Sequence, residues 1–178
     1  TLADGSIVRL APNSRLTEWA SEGERQVSLS GRAFFAVARD EGRGFTIRTD
    51  AGEVSVLGTR FEVRESGDDL QTIVVGGRVR VRNDHGAIEA TAGEVAEVLG
   101  GETPTVRSVD DVYALLSWEE GILIYQATPL SRVAMEVSRH FGRPLTVLDE
   151  ALAVRRITAW FQDEPFEEVA ESLCLAAG

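Results

Sequence analysis

The sequence predicts a mainly β chain in two parts, an all-β roll or sandwich followed by a small α/β module. Three observations support this prediction. Apolar and polar residues alternate with a period of two over residues 1–106. After residue 118, apolar residues recur instead at helical spacing in two segments, and those two segments repeat at a fixed offset. A period of two is typical of half-buried strands, whereas a period of 3.6 is typical of amphipathic helices.

The strands of the first part are clearest where apolar and charged side chains alternate without interruption. Val79 and Val81 lie between Arg78, Arg80 and Arg82, which predicts one buried and one solvated face. Turn signals separate such segments at close spacing, among them Asp4-Gly5, Glu41-Gly42, Ser66-Gly67, Gly76-Gly77, Asn83-Asp84 and Ala92-Gly93. We therefore expect residues 1–106 to form one all-β domain. Residues 107–117 are expected to be a linker with a short helix from Val109 to Leu116.

The second part, residues 118–178, contains an internal repeat with an offset of 165 − 129 = 36 residues. Each copy has an apolar segment, a proline at the first helical turn and an amphipathic helix that ends at a glycine. The matched pairs are Gln126 and Gln162, Pro129 and Pro165, Val133 and Val169, and Gly142 and Gly178. A fixed offset of this size indicates a duplicated supersecondary unit.

Two further strands are expected between the helices, at about Leu145 to Leu148 and Arg156 to Phe161, which gives the order β-α-β-β-α. The second helix stops at Gly178, where the repeat would place another strand. We expect the native chain to continue past this point. A sheet that lacks its last strand would leave an edge with which a neighbour could pair.

The composition excludes several classes of function. The net charge is −11, all 18 basic residues are arginine and none is lysine, so no basic block for nucleic acid is present. Cys174 is the only cysteine, which rules out an internal disulfide and a cysteine-based zinc site. His85 and His140 lie in different parts without metal-ligand spacing, so neither a metal nor another cofactor is expected. No apolar run approaches the roughly 20 residues of a membrane span.

Several motifs in the first part, taken in order, resemble the FecR-type anti-sigma regulators. They cover about residues 1–100 and are Leu2-Ala-Asp-Gly-Ser6, Asn13-Ser14, Gly31-Arg-Ala-Phe-Phe-Ala-Val37, Val56-Leu-Gly-Thr-Arg-Phe-Glu-Val63, Val74 to Val81 and Ala92-Gly-Glu94. The second part resembles the STN-type module (secretin and TonB short N-terminal domain), mostly through its pattern.

This resemblance implies the periplasmic receiver of a regulator that crosses the inner membrane once. Such a receiver binds the periplasmic signalling domain of a TonB-dependent outer-membrane transporter, as in siderophore uptake. The regulator holds an ECF sigma factor through a cytoplasmic segment, which with its membrane helix would precede Thr1. The function expected is protein binding, without nucleic acid or a direct small-molecule ligand. An alternative is a structural module of an envelope secretion or assembly complex.

Gly58-Thr59 is the one place where the resemblance implies covalent chemistry. Some relatives cleave themselves at such a pair: the threonine hydroxyl attacks the preceding carbonyl, and water hydrolyses the ester. Threonine supplies a nucleophile and glycine permits a strained backbone. The alternative is that Gly58 makes a bend or bulge and Thr59 fills a strand. No other catalytic motif is present, so an enzyme is not expected.

A partner surface is expected on the second part. On the strand that ends at Phe161, Thr158 and Trp160 point away from the face that would cover the helices. An exposed aromatic there could anchor a partner, although another part of the chain could equally pack over it. The residues expected at this surface are Ile122, Ile124, Thr158, Trp160 and Leu175.

Overall fold

The structure is a computed structural model that describes residues 1–21, 24–112, 115–116, 122–162 and 164–177. Its contacts divide the chain into two compact units, Thr1–Trp118 and Glu119–Gly178. The first unit is built from strands, and the second combines strands with helices. The predicted fold class, a β-rich domain followed by a small α/β module, is confirmed.

The first unit contains two sheets of six strands each among its described residues. The first sheet is antiparallel throughout, in the order β1-β4-β7-β8-β11-β12. Its strands are β1 (Ile7–Leu10), β4 (Arg32–Ala36), β7 (Arg60–Ser66), β8 (Asp69–Gly76), β11 (Glu94–Val98) and β12 (Thr105–Ser108).

The second sheet has the order β10-β9-β6-β5-β3-β2, and only its β3–β5 pair is parallel. Its strands are β2 (Arg15–Ser21), β3 (Glu24–Ser30), β5 (Phe45–Thr49), β6 (Gly52–Val56), β9 (Arg78–Asn83) and β10 (Gly86–Thr91). The turn signals read from the sequence lie where expected: Gly67 joins β7 to β8, and Asp84 with His85 joins β9 to β10.

One apolar core joins the two sheets. Phe35 of β4 stacks on Phe61 of β7 with ring centroids 5.4 Å apart, and its ring lies 6.3 Å from that of Phe45 in the second sheet. All three rings are fully buried. Val79 and Val81 are also buried, while Arg78, Arg80 and Arg82 point outward, as the alternation predicts.

The outer faces of the two sheets differ. On the second sheet the outer face is charged, and Arg82 pairs with Glu53 at 3.0 Å. On the first sheet part of the outer face is buried, including the fully buried Glu62. Arg32 pairs with the Glu62 carboxylate at 2.8 Å, and Arg64 pairs with it as well. A buried carboxylate is tolerated because two guanidinium groups compensate its charge.

Arg25 is a buried cation that ties separate chain segments together. Its side chain is 6% exposed and its guanidinium lies 5.7 Å from the centroid of the Phe45 ring. It donates to the Asp4 carboxylate at 3.0 Å, to the carbonyl of Ala38 at 2.9 Å and to the carbonyl of Arg43 at 3.1 Å. The N-terminal turn and the β4–β5 connection are therefore fixed by one side chain.

The second unit consists of two strand–helix copies, which agrees with the repeat read from the sequence. Strand β13 (Ile122–Pro129) leads into α1 (Leu130–Phe141), and β14 (Arg156–Gln162) leads into α3 (Phe166–Ala177). Both helices have 12 residues and begin 166 − 130 = 36 residues apart. The strands pair antiparallel, and the helices cover one face around the buried residues Tyr125, Val133, Val137, Ile157, Phe161, Val169 and Leu173.

The strand predicted at Leu145–Leu148 was wrong. This segment has no strand pairing, and a short helix, α2 (Glu150–Ala153), follows it. The physical reason is that the Ser138 hydroxyl of α1 accepts from the Leu145 N–H at 2.8 Å and lies 3.3 Å from its carbonyl oxygen. Leu145 and Val147 still alternate toward the core, which produced the misleading pattern.

Two boundaries also differ from the expectation. The prolines lie one position earlier than predicted: Pro129 is the N-cap of α1, since its ψ of 135° is extended and not helical. In the expected linker, β12 pairs with β11 as far as Ser108. The helix expected from Val109 to Leu116 is described only as one turn, in which Leu115 N–H bonds to Val112, because residues 113–114 lie outside the described ranges.

The lowered pKa of the Asp4 carboxyl predicts that its contribution to stability is lost in acid. Partial burial raises the pKa of Asp4, but donors from Ser6 and Arg25 outweigh it and hold the pKa below its usual value of 3.8. Such a carboxyl stabilises the fold above its unfolded pKa and loses that contribution as pH falls through its folded pKa. We predict that Asp4→Asn is less stable at pH 7 by about 1–2 kcal/mol, and that this deficit shrinks below about pH 4.

Urea unfolding at pH 7 and pH 3 measures both quantities. Asp50→Asn, at the exposed turn between β5 and β6, is the control and should leave the free energy of unfolding unchanged. A deficit of the same size at both pH values would contradict the role of the Asp4 charge.

The backbone conformation of Ala127 predicts that a glycine at this position would stabilise the fold. It has φ +46° in a bulge of β13, where its N–H donates to the Thr158 hydroxyl at 2.9 Å. A left-handed conformation costs an L-residue other than glycine about 1–2 kcal/mol. We expect Ala127→Gly to raise the free energy of unfolding by up to about 1 kcal/mol, whereas Ala151→Gly in α2 should lower it by a similar amount. A destabilised Ala127→Gly variant in urea unfolding would contradict this.

Candidate functional site

The chain crosses from one sheet to the other at Leu57–Thr59. Strand β6 ends at Val56 in the second sheet, and β7 begins at Arg60 in the first sheet. The crossing is held against the β4–β5 connection, because Asp40 N–H donates to the Leu57 carbonyl at 2.9 Å and Val37 N–H donates to the Thr59 carbonyl at 3.0 Å. The two residues singled out from the sequence, Gly58 and Thr59, lie in this crossing.

Gly58 is required here by close packing. A Cβ atom at this position would lie 2.6 Å from both Cα and Cβ of Arg39. Real Cβ atoms do not approach backbone so closely, so a side chain at position 58 would displace the β4–β5 connection. The backbone makes a bend at Leu57–Gly58, as the structural alternative in the sequence analysis expected.

Thr59 is buried, and its hydroxyl bonds to the backbone of the neighbouring strand. It donates to the Arg78 carbonyl at 2.8 Å and accepts from the Arg78 N–H at 3.3 Å. Strands β6 and β9 pair only where Glu53–Ser55 face Arg80–Arg82. The hydroxyl therefore takes the place of a strand partner for Arg78 after β6 has turned away.

Gly77 lets the β8–β9 turn approach this crossing. It has φ +96°, and a Cβ there would lie 2.8 Å from the Thr59 hydroxyl oxygen and 3.1 Å from the Gly58 carbonyl oxygen. The turn thus packs against one side of the peptide bond that self-cleavage would break. For the Thr59 oxygen to attack the Gly58 carbonyl, its proton must leave the bond to the Arg78 carbonyl and pass to a base.

An open groove of about 620 Å³ lies beside the crossing. Its lining includes the crossing itself, the Gly77 turn, and the side chains of Arg39, Arg78, Arg80 and Glu89. The alternation of residues 78–82 predicted that these arginines of β9 are exposed. It could not predict that Arg39, which is distant in sequence, faces the same groove.

The second candidate surface is the outer face of the β13–β14 pair. Trp160 is 53% exposed and Thr158 is also exposed. The Thr158 hydroxyl already accepts from Ala127 N–H, so it contributes to the bulge of β13. Arg156 donates to the Ala127 carbonyl at 2.8 Å and supports the same bulge.

The other residues expected at this surface are placed differently. Ile124 lies opposite Trp160 and Ile122 lies opposite Gln162 in the strand register, but their side chains are outside what the structure describes. Leu175 is 77% exposed on α3, which packs against the other face of the sheet. It therefore does not share the sheet face that carries Trp160.

The described residues show neither a metal-ligand cluster nor a membrane-spanning helix. They contain no group of three His, Cys, Asp or Glu side chains that could hold a metal ion. His85 lies in the β9–β10 turn, and His140 lies at the end of α1 with its ring 4.7 Å from that of Phe141. None of the described helices is long and apolar enough to cross a membrane.

Comparison with known proteins identifies the first unit. Residues 1–80 match the family described as FecR protein. The N-terminal domain is a FecR-family domain. This match includes the crossing at Gly58-Thr59 and ends within β9 of the FecR domain. A search of curated proteins finds no match.

The chain also resembles solved structures over nearly its whole length. Two crystal structures, each of a candidate anti-sigma factor from Parabacteroides distasonis ATCC 8503, match it with TM-scores of 0.62 and 0.61. The sequence identities are 25% and 27%, and each match covers 98% of this chain and 84% of the other. The likeness therefore extends through the second unit.

The packing at Gly58 predicts a large effect of a small substitution. We expect Gly58→Ala to lower the free energy of unfolding by about 1–3 kcal/mol, because the added methyl group overlaps the backbone of Arg39. Gly44→Ala is the matched control, since a Cβ there comes no closer than 3.8 Å to the Val56 carbonyl oxygen. Equal unfolding midpoints in urea for Gly58→Ala and the wild-type chain would contradict the packing argument.

Proposed function

We propose that this chain is the receiver region of a membrane-anchored regulator of a sigma factor. The observation that carries the proposal is the FecR-family match of residues 1–80 within a chain that resembles candidate anti-sigma factors over 98% of its length. The acidic composition, the single cysteine and the lack of a metal cluster among the described residues agree with a role in protein binding.

The signal in this proposal comes from a TonB-dependent outer-membrane transporter. Its periplasmic signalling domain binds the receiver in the periplasm, and the regulator passes the change to an ECF sigma factor through a cytoplasmic segment. The resemblance of the motifs to FecR-type regulators supports this route. It also agrees with the two-unit organisation, in which a β-rich first unit is followed by a small α/β unit that we take to be the STN-like module.

The partner surface that we propose is the outer face of the β13–β14 pair, centred on Trp160. A large aromatic side chain that is 53% exposed can bury its apolar area against a partner, and such residues dominate binding energies. The sheet has only two strands among the described residues, so its edges offer backbone groups to a further strand.

Binding can be measured with the 178-residue chain and the periplasmic signalling domains of TonB-dependent outer-membrane transporters. We expect Trp160→Ala to weaken binding at least about tenfold, as for an interface anchor. Met135→Ala is the matched control, since Met135 is 57% exposed on α1 and lies in the helical layer of the same unit. Trp160→Phe keeps an aromatic ring and should retain most of the affinity if the ring is the anchor.

The outcomes separate the proposed function from its alternative. Binding that Trp160→Ala and Met135→Ala weaken equally would contradict the proposed surface but not the receiver role. Failure of every TonB-dependent signalling domain to bind would contradict the receiver role. Co-purification with secretion or assembly components would then favour a structural module of an envelope complex.

A finer proposal is that the chain can cleave itself between Gly58 and Thr59. The Thr59 oxygen would attack the Gly58 carbonyl carbon, the peptide C–N bond would break, and water would hydrolyse the resulting ester. This would leave a carboxylate at Gly58 and a free amine at Thr59. We expect denaturing electrophoresis to show fragments of residues 1–58 and 59–178, absent in Thr59→Val and retained in Thr59→Ser. A single intact band of the wild-type chain after long incubation would contradict it.

A further inference from the structure

The groove beside the Leu57–Thr59 crossing differs in charge from the rest of the molecule. The chain has a net charge of −11, yet three arginines line this groove together with one glutamate. Arg78 and Arg80 come from β9, and Arg39 comes from the β4–β5 connection. Clustered positive charge in a concave site attracts anionic groups from solution.

The arginines of the groove can exchange their present partners. Arg78 pairs with Glu89 at 3.2 Å, and Arg39 pairs with Glu41 at 2.7 Å. All four of these side chains are more than half exposed, and pairs of this kind contribute little to stability. An incoming carboxylate could therefore replace Glu89 or Glu41 at small cost.

The spacing of the arginines fits an extended chain. Arg78 and Arg80 are alternate residues of one strand and point to the same face, so their Cα atoms lie about 6.6–6.8 Å apart. Alternate side chains of an extended peptide have the same spacing. The volume of about 620 Å³ is that of an ordinary ligand site, and Leu57, 48% exposed, adds an apolar contact.

We propose that this groove of the FecR domain binds an extended acidic peptide segment, with carboxylates at alternate positions against Arg78 and Arg80. This site is separate from the Trp160 surface and does not depend on the identity of the partner proposed for that surface. In the free protein Glu89 occupies part of the site, so its carboxylate competes with those of the peptide.

The test uses fluorescence anisotropy with the 178-residue chain and a labelled peptide in which glutamate alternates with threonine. We expect Arg80→Gln to weaken binding about two- to fivefold and Glu89→Gln to strengthen it by a similar factor, because each changes one exposed ionic contact. Arg15→Gln removes the same charge from β2, outside the groove, and should leave the affinity unchanged. Added salt should weaken binding of the wild-type chain.

Four results would overturn the proposal. The first is equal affinity for a peptide in which glutamine replaces glutamate. The second is an equal effect of Arg80→Gln and Arg15→Gln, and the third is weaker binding by Glu89→Gln. Competition by succinate at the same concentration as the peptide would also overturn it, because the site would then take a small dicarboxylate. If the thermal unfolding of Arg80→Gln is the same as that of the wild-type chain, its weaker binding does not come from a loss of folding.

Discussion

The crossing of the chain from one sheet to the other at Gly58-Thr59 is the constraint on which the FecR domain depends. Without it, β6 and β7 could not belong to different sheets of one core. Gly58 permits the approach to Arg39, and Thr59 supplies a hydroxyl where β9 no longer pairs with β6. Strands β6 and β9 diverge at this crossing, and the groove lies beside it. The crossing therefore both joins the two sheets and forms part of a candidate binding site.

The outer faces of the two sheets in this domain differ in charge and in burial. The second sheet exposes a ladder of charged side chains, as expected for an antiparallel sheet with one solvated face. The first sheet buries part of its outer face, where Arg64 pairs with Glu62 and also donates to the carbonyl of Leu115. Through Arg64, the buried carboxylate is thus linked to Leu115 in the same unit.

In the second unit the two copies of the repeat have matching helices, but the segment between the copies is irregular. The two helices have equal lengths and equal positions in the repeat, because each buries the same apolar stripe against the strands. The connection between the copies follows no such rule. There the Ser138 hydroxyl takes the backbone groups of Leu145. Within the first copy, β13 also has a bulge at Ala127, which Thr158 and Arg156 hold.

Elements whose pattern is local could be predicted from the residues alone. The structure contains the elements that three local patterns predicted. These patterns are the alternation around Val79 and Val81, the turn signals that contain glycine or aspartate, and the 36-residue repeat. The motifs also predicted the FecR family, because an ordered set of short motifs is read without knowledge of contacts. The strand expected at Leu145–Leu148 failed, since alternation reports burial and not hydrogen-bond partners.

Only the tertiary structure decided which distant groups meet. No local pattern relates Arg25 to Asp4, Glu62 to Arg32, or Arg39 to Arg80, because each pair is brought together by strands that are remote in sequence. Sequence periodicity fixes which face a side chain takes, but the order of strands in a sheet fixes its neighbours. For that reason the family and the candidate residues could be predicted, whereas the groove and the buried ion pairs had to be observed.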